Sequence, residues 1–381
     1  MTENPFVFGT IVRGDNFADR KKEVKEIASD LTSKTNLIIF SPRRYGKTSL
    51  IFKVLEDLEK KSIICAYVDL YPATTIEKFA NIYASSMAKS KGGKLDEIIN
   101  FIKDLIPPVK LTVRPEGTSD IEGGMEIELS RGKSDINAVL SRLYDLPERI
   151  ATKKRKKMVV VFDEFQEITK IDGQEIERSL RSRIQHHKNV SYVFMGSQMH
   201  LLGRAFESKD RALYRMGKPF NLRRIPPEEF GIFIKDRFRV GGMTISAGNV
   251  AKIVDLTQCH PYYTQQLCHE VWNYRKSLGT KSVETDDITV AKEQLMRNQN
   301  YAYTALWDSI KGKQRAVLLA MAKTGQKEIF ASDFREDNGL GAPSTIARAA
   351  QYLEEKGLIE KNGSQYGISD TFFEEWLKRL D

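Results

Sequence analysis

The segment that most constrains the fold is a basic loop, residues 41–48, between an apolar run and an amphipathic stretch. Residues 36–40 read Asn-Leu-Ile-Ile-Phe, which is typical of a buried strand, and residues 49–58 carry apolar side chains at helical spacing. A strand, a tight loop and a helix form the setting in which backbone N–H groups and a helix N-terminus bind phosphate. The segment therefore predicts an α/β fold with a P-loop on a parallel sheet covered by helices.

The loop follows the G-x-x-x-x-G-K-[ST] pattern except at its first position, where Ser41 replaces glycine. Lys47 is predicted to reach the β- and γ-phosphates of ATP, and Thr48 is predicted to ligate Mg²⁺. Serine fits at the strand exit if this turn avoids positive φ. The alternative is a plain helix N-terminus with an exposed lysine. The predicted nucleotide-binding residues of the loop are Ser41, Pro42, Arg43, Arg44, Tyr45, Gly46, Lys47, Thr48 and Ser49.

A second motif supports the same chemistry. Residues 158–162 are all apolar, and Asp163 and Glu164 follow at once. This Walker B pattern predicts that Asp163 holds the water shell of the magnesium ion and that Glu164 orients and deprotonates the attacking water. Two adjacent carboxylates at the end of a buried strand repel each other unless a cation lies there, which favours the functional interpretation.

Two further candidates follow the next predicted strand, residues 191–195, which ends in Gly196-Ser197-Gln198. Ser197 is the first candidate, and Gln198 the second, for a side chain between the two Walker strands that contacts the γ-phosphate or the water; the alternative is a strand-terminal turn. The basic stretch 204–224 includes Arg215, which could project toward the phosphate of a neighbouring subunit. The alternative is a solvated basic loop.

Composition restricts the class of protein. A chain of 381 residues with 41% apolar and 29% charged residues predicts a soluble protein of two or three domains. Its apolar runs are too short for a membrane span, and its N-terminus does not resemble a signal peptide. Cys65, Cys259 and Cys268 lack metal-binding spacing and are predicted to be core thiols in a reducing cytoplasm.

The net charge of +9 is unevenly distributed. Residues 309–381 contain eleven Lys or Arg and eleven Asp or Glu, so the excess lies in residues 1–308. It is concentrated in residues 153–157 and 204–224. Because non-specific DNA affinity scales with the number of phosphates neutralised, these two segments are predicted to carry any such binding.

The sequence predicts three domains: a P-loop core (1–225), a helical lid (226–308) and a winged-helix domain (309–381). Within the core, alternating stretches in residues 109–130 predict an inserted hairpin, which either contacts a partner or is decorative. The last domain reads as three helices followed by a hairpin with an Asn362-Gly363 turn. Its neutral charge suits a protein partner as well as DNA.

Several stretches together resemble the archaeal-type predicted ATPases of the AAA+/STAND branch. They are residues 17–20, 41–50, 160–167, 194–198 and 258–263. The resemblance covers nearly the whole chain and implies a nucleotide-binding core, a lid and a winged helix. It also implies that Pro261 contacts the base.

The chain departs from this family pattern in two places. Related sequences often read Pro-Leu-Tyr-Gly-Arg where this chain has Leu213-Tyr214-Arg215, so that Arg215 sits one place early. In the lid motif Gly-Gly-x-Pro, Gln258 and Cys259 replace both glycines, and Pro261 remains.

These observations predict an ATP- and Mg²⁺-dependent switch or motor that acts on a macromolecular partner, either protein or DNA, with no membrane partner. The subunits are expected to assemble in a nucleotide-dependent way. The alternative is a DNA-binding regulator, or a replication or transposition helper, whose DNA affinity is set by nucleotide. A non-catalytic scaffold is disfavoured because Lys47, Thr48, Asp163 and Glu164 are all present.

Overall fold

The computed structural model describes residues 3–18, 20–90, 110–115, 125–130, 136–171, 173–325 and 328–380. The chain divides into two compact units, each with its own hydrophobic core. The sheet unit comprises residues 21–41 and 50–222, and the lid–wing unit comprises residues 1–20, 42–49 and 223–381. The domain boundaries expected near residues 225 and 308 stay predictions.

The regular elements up to residue 222 alternate mostly between helix and strand, as the sequence predicts. In chain order they are α1 (Lys21–Thr32), β1 (Leu37–Phe40), α2 (Lys47–Lys60), β2 (Ile64–Asp69), α3 (Ile76–Lys89), β3 (Lys110–Pro115), β4 (Met125–Ser130), α4 (Ile136–Lys154), β5 (Met158–Asp163), a 3-10 helix (Phe165–Lys170), α5 (Gly173–Ile184), β6 (Val190–Gly196), α6 (Met199–Glu207) and β7 (Lys218–Asn221).

Five parallel strands form the central sheet in the order β2-β5-β6-β1-β7. Strands β1, β5 and β6 are buried along their whole length, as expected of a parallel sheet covered on both faces. Phe162 of β5 pairs with Phe194 of β6, which pairs with Ile38 of β1, so that the carboxyl ends of these strands share one edge. The strand that precedes Ser197 therefore lies between the strand that leads into the P-loop and the strand that ends at Asp163.

Aromatic side chains fill the core beside this sheet. The ring of Phe162 stacks on Tyr83 and Phe194, with centroids 5.7 and 5.5 Å apart. Phe165, which opens the 3-10 helix after β5, packs edge-on against Phe194 at 4.8 Å. These contacts fix the 3-10 helix against the end of the sheet. The predicted inserted hairpin is present as the antiparallel pair β3 and β4, and its connection, residues 116–124, lies outside the described residues.

The regular elements after residue 222 are mostly helical. They are α7 (Pro227–Val240), β8 (Thr244–Ile245), α8 (Ala247–Leu256), α9 (Pro261–Ser277), β9 (Ser282–Val283), α10 (Thr285–Ser309), α11 (Lys313–Thr324), α12 (Ser332–Asp337), α13 (Pro343–Glu355), β10 (Ile359–Asn362), β11 (Gln365–Ile368) and α14 (Thr371–Leu377).

Helices α11, α12 and α13 and the antiparallel pair β10–β11 confirm the predicted winged helix. The turn prediction is wrong by one residue. Asn362 pairs with Gln365, so the two turn residues are Gly363 and Ser364. Gly363 has φ of +65°, a conformation that glycine adopts without steric cost at the first position of a tight hairpin turn. Helix α14, which the sequence reading missed, packs its aromatic residues into the core of the unit.

All three cysteines are buried thiols, as predicted. Within the described residues, no helix has both the length and the apolarity needed to cross a bilayer.

Candidate functional site

The P-loop precedes α2, whose first residue is Lys47. Arg44 and Gly46 have positive φ angles of 65° and 80°, so the loop turns sharply just before the helix. Ser41, which replaces the first glycine of the motif, does not have a positive φ angle. Serine therefore fits at the strand exit without backbone strain. The side chain of Lys47 is largely buried, with 7% of its surface exposed.

Arg44 contacts the start of the lid helix α9. Its guanidinium lies 4.5 Å from the centre of the Tyr262 ring, and its Nη1 donates a hydrogen bond to the Tyr263 hydroxyl at 3.3 Å. Pro261 is the first residue of this helix, a position at which its fixed φ and missing N–H are tolerated. One arginine of the P-loop is thus held by two tyrosines at the start of α9.

Tyr45 links the P-loop to the winged helix. Its hydroxyl donates to Glu360 Oε1 at 2.7 Å and accepts from Arg224 Nε at 3.0 Å. Arg224 Nη2 also donates to Glu360 Oε1 at 2.7 Å, which closes a three-residue network. Burial, and then the nearby Glu360 carboxylate, raises the pKa of the Tyr45 phenol, so that it stays protonated and acts as a donor. No pattern in the sequence predicts this network.

The two residues that replace the lid glycines adopt the backbone that glycine would take. Gln258 and Cys259 have φ angles of 50° and 57°, which costs a non-glycine residue roughly 1–2 kcal/mol. The lid turn therefore keeps the conformation that the motif implies. In return, Gln258 accepts a hydrogen bond from Arg224 at 2.7 Å and donates one to Glu374 at 3.2 Å, which glycine could not do.

His260 is a packing residue between the loop and the lid. It is 2% exposed, and its ring lies 4.9 Å from that of Tyr45 and 4.4 Å from that of Tyr263. Burial, together with Arg224 and Arg44, lowers the pKa of His260 well below its usual value, so the ring is neutral. The described part of the chain contains no group of three or more His, Cys, Asp or Glu suited to a metal ion.

In the sheet unit, the predicted Walker B carboxylates are held by their neighbours. Asp163 is buried; its Oδ2 accepts a hydrogen bond from the Tyr67 hydroxyl at 2.6 Å, and its Oδ1 accepts from the Glu164 N–H at 2.8 Å. Glu164 has φ of 50°. A non-glycine residue in this left-handed region carries backbone strain, a feature that clusters at functional sites.

The carboxylate of Glu164 is in turn positioned by two side chains. Its Oε2 accepts from Ser197 Oγ at 2.9 Å and from Gln166 Nε2. Ser197, predicted from sequence, thus contacts the predicted general base, whereas Gln198 precedes α6 and makes no capping bond. Gln166 was missed. The structure shows that Gln166 needs glycine at position 196, because a Cβ atom there would lie 2.0 Å from Gln166 Oε1.

The basic stretch 204–224 includes an arginine that is held in an ion pair, which the sequence does not indicate. Arg211 forms an ion pair with the buried Glu177, with Nε 2.9 Å from Oε2. Arg215 is exposed, and its guanidinium lies 5.2 Å from the Tyr214 ring centre. Its φ of 55° shows that it occupies the glycine position of the Pro-Leu-Tyr-Gly-Arg pattern.

A parallel sheet with a Gly-Lys-Thr loop after β1, an Asp-Glu pair after β5 and a polar segment after the intervening β6 is the fold of the P-loop ATPases. Residues 17–234 match an ATPase domain predominantly from Archaea, and residues 301–379 match a probable winged helix domain. The first match covers more than half of the chain, so the protein belongs to this archaeal-type ATPase family.

Solved structures agree with this fold. A Walker-type ATPase of Pyrococcus abyssi is 17% identical, with a TM-score of 0.67 over 98% of this chain and 99% of that chain. The ORC2 protein of Aeropyrum pernix, solved in ADPNP–ADP complexes, is 14% identical, with a TM-score of 0.59 over 100% of this chain and 96% of that chain. At such identities the likeness establishes the fold alone. A comparison with curated proteins finds no match.

Proposed function

We propose that the protein is an ATP-binding and ATP-hydrolysing switch whose nucleotide state sets the position of its winged helix, which acts on a macromolecular partner. The observation that carries this proposal is the hydrogen bond from Tyr45 of the P-loop to Glu360 of the winged helix. It joins the segment expected to bind phosphate to the domain expected to contact the partner.

The chemical roles follow from the side chains present. Backbone N–H groups of residues 41–49, except Pro42, which has none, bind the phosphates, and Lys47 adds a positive charge. Thr48 and Asp163 offer the oxygen ligands that Mg²⁺ prefers, and the ion would neutralise charge on the phosphates. Pro261, at the start of α9, contacts the base. Membership of the ATPase family supports these assignments.

Glu164 acts on the attacking water as the general base. Its two partners, Ser197 and Gln166, both bind Oε2 and so hold the carboxylate in one orientation. A fixed orientation matters because a general base must lie within hydrogen-bond reach of the proton that it removes. We assign Ser197 and Gln166 as positioning residues for Glu164.

The coupling follows from the loop contacts. Phosphate binding recruits the backbone N–H groups around Arg44 and Tyr45, whose side chains are engaged with Tyr263 and Glu360. A shift of this backbone moves the Tyr45 hydroxyl relative to Glu360. A hydrogen bond to a charged group contributes about 1.5–3 kcal/mol, which is enough to bias the position of the hairpin β10–β11.

The coupling predicts a change in hydrogen exchange. In the Glu164→Gln protein, which holds ATP without hydrolysing it, ATP should accelerate amide exchange in the hairpin, residues 359–368. Glu360→Gln should accelerate it without nucleotide, by about tenfold or more if one charged hydrogen bond is lost. Glu355→Gln is the matched control, because Glu355 is exposed on α13 and accepts a hydrogen bond from Gln351 of the same helix.

Hairpin exchange that is identical with and without ATP, in a protein that calorimetry shows to be saturated, would leave nucleotide binding intact and remove the proposed coupling. Acceleration by Glu355→Gln as large as that by Glu360→Gln would mean that the hairpin responds to any charge loss in the domain.

The role of Gln166 is tested through Gly196. Gly196→Ala should displace Gln166 and lower ATP turnover by about 10- to 100-fold while leaving ATP affinity unchanged, because one hydrogen bond to a charged group is lost. Gln166→Ala should have the same effect, and the double variant should be no worse than either. The control is Gly203→Ala, where the new Cβ makes only contacts of ordinary length, with the end of Glu207 at 3.4 Å and with the Phe40 ring at 4.0 Å. Additive losses in the double variant would contradict the positioning role.

A further inference from the structure

The edge of the central sheet at which the strands begin carries a dense group of positive charges. We define the basic edge as the four turns that precede β1, β2, β5 and β6, residues 33–36, 60–63, 153–157 and 185–189. These turns contain nine Lys or Arg and no Asp or Glu, a charge equal to the whole net charge of the chain. Its basic residues are Lys34, Lys60, Lys61, Lys153, Lys154, Arg155, Lys156, Lys157 and Lys188.

The strand register brings these turns side by side. Ile64 N donates to Lys157 O, and Met158 N donates to Asn189 O, both at 2.9 Å, so the turns before β2, β5 and β6 are direct neighbours. The Lys157 ammonium reaches Thr32 O at 2.8 Å, beside the turn before β1. With strands 4.7–4.9 Å apart, the four turns span about 15 Å. The sequence alone shows only the block 153–157; the rest of the surface is created by the fold.

The charges on this edge face solvent. Five of its basic residues are exposed and, within the described ranges, take part in no ion pair: Lys34, Lys61, Arg155, Lys156 and Lys188. Two acidic residues on the adjoining helices have partners of their own. Asp57 binds Lys53 and Lys60, and Glu148 accepts hydrogen bonds from the backbone and side chain of Asn189.

Helix geometry accounts for part of this charge. Each turn follows a helix C-terminus, where a cation gains about 0.3–1 kcal/mol from the helix dipole. One or two cations per helix satisfy that preference, whereas the last two residues of α4 and the three that follow give five consecutive basic residues, 153–157. Like charges so close repel one another, and an opposing polyanion relieves that repulsion.

We propose that the basic edge binds the phosphate backbone of duplex nucleic acid without reading its sequence. A duplex carries one negative charge per about 1.7 Å, so that a 15 Å stretch carries roughly nine phosphates, enough to engage the five exposed residues that take part in no ion pair. The inference rests on the proposed function in one respect only, namely that the bound nucleic acid is the partner on which the switch acts. Binding itself needs no nucleotide.

Other basic segments are poorer candidates. In the stretch 204–224, Arg211 is paired with Glu177, and Lys218 contacts both Glu26 and Asp30. On α13 of the winged helix, the exposed charged residues are Arg348 and Glu355, which cancel. We therefore assign the binding to the basic edge, and the expectation that residues 204–224 share it stays a prediction.

The test is fluorescence anisotropy of the full chain with a labelled mixed-sequence DNA duplex of about 30 base pairs, titrated with salt between roughly 50 and 200 mM. The edge variant replaces Lys61, Arg155, Lys156 and Lys188 with Gln. The control variant replaces four exposed cations elsewhere in the sheet unit, Lys25, Lys78, Arg204 and Lys209, with Gln. Both lose four charges, and matched melting curves establish that both are folded.

The edge variant should bind at least about tenfold more weakly, and the slope of log K against log salt should fall by up to about 3.6, at 0.9 per lost phosphate contact. The control variant should keep most of the wild-type affinity and slope.

Equal losses of affinity in both variants would mean that only the net charge of the protein matters, and they would overturn the proposal. So would loss of binding in Arg348→Gln with no loss in the edge variant, or wild-type protein that binds anionic vesicles and no DNA. A protein that binds DNA at this edge but hydrolyses no ATP would contradict the proposed function and not this inference.

Discussion

Replacing Glu164 with Gln should lower ATP turnover by about 10²- to 10⁴-fold, the usual contribution of a general base, while ATP still binds. Gln keeps the size of the side chain and can still pair with Ser197, but it cannot accept the proton of the attacking water. The measurement is steady-state phosphate release together with calorimetric titration of ATP in the presence of Mg²⁺.

Lys47→Ala gives the complementary result, because Lys47 supplies charge to the phosphates and is needed for binding itself. We expect this variant to lose both ATP affinity and turnover. The matched control is Lys53→Ala on the same helix, since Lys53 forms a partly exposed ion pair with Asp57 at 3.5 Å, and such pairs contribute little to stability. Wild-type protein that binds no ATP by calorimetry would contradict the nucleotide site as a whole.

The sequence was most informative where a local pattern decides the structure. The apolar runs of β1, β5 and β6 are buried throughout, as their composition requires, and the polar residues that follow them lie at one edge because parallel strands end together. The winged helix was predictable for the same reason. Its helices show clear periodicity, and a tight turn marks its hairpin.

The sequence was silent where the structure depends on residues far apart in the chain. Tyr45 and Glu360 are separated by 315 positions, and neither residue type nor spacing indicates that they meet. Gln166 looks like one more polar residue of a short helix. Its role depends on the missing side chain of Gly196, which only the packing of β6 against the 3-10 helix makes visible.

The departures from the family motifs were visible in the sequence, but their meaning was not. Gln258, Cys259 and Arg215 all stand where related sequences carry glycine, and all three keep the left-handed backbone that glycine would adopt. The chain has therefore changed side chains at these turns without changing their geometry. At Gln258 the new side chain joins the network of Arg224 and Glu374, which makes the substitution a gain of contacts.

Arg215 is the remaining candidate for an arginine that acts on the phosphate of a neighbouring subunit. Its guanidinium is exposed beside the Tyr214 ring, whereas Arg211 is held by the buried Glu177 and is not available for such a role. If Arg215 acts in this way, Arg215→Ala should lower turnover by about 10³- to 10⁵-fold and leave ATP affinity unchanged. The specific activity of the wild-type protein should then rise with protein concentration. Arg204→Ala, which removes an exposed arginine of α6, is the control.

The backbone at Arg215 provides a way to separate chemistry from stability. Because its φ is 55°, Arg215→Gly should relieve strain and be more stable than Arg215→Ala by roughly 1–2 kcal/mol. Both variants lack the guanidinium. If Arg215 acts on the phosphate of a neighbouring subunit, both should therefore lose turnover equally despite their different melting temperatures. Two results would show that Arg215 is only a surface residue. One is turnover that falls in proportion to the loss of melting temperature, and the other is specific activity that does not change with protein concentration where the protein is monomeric. The catalytic centre would then be complete within one subunit.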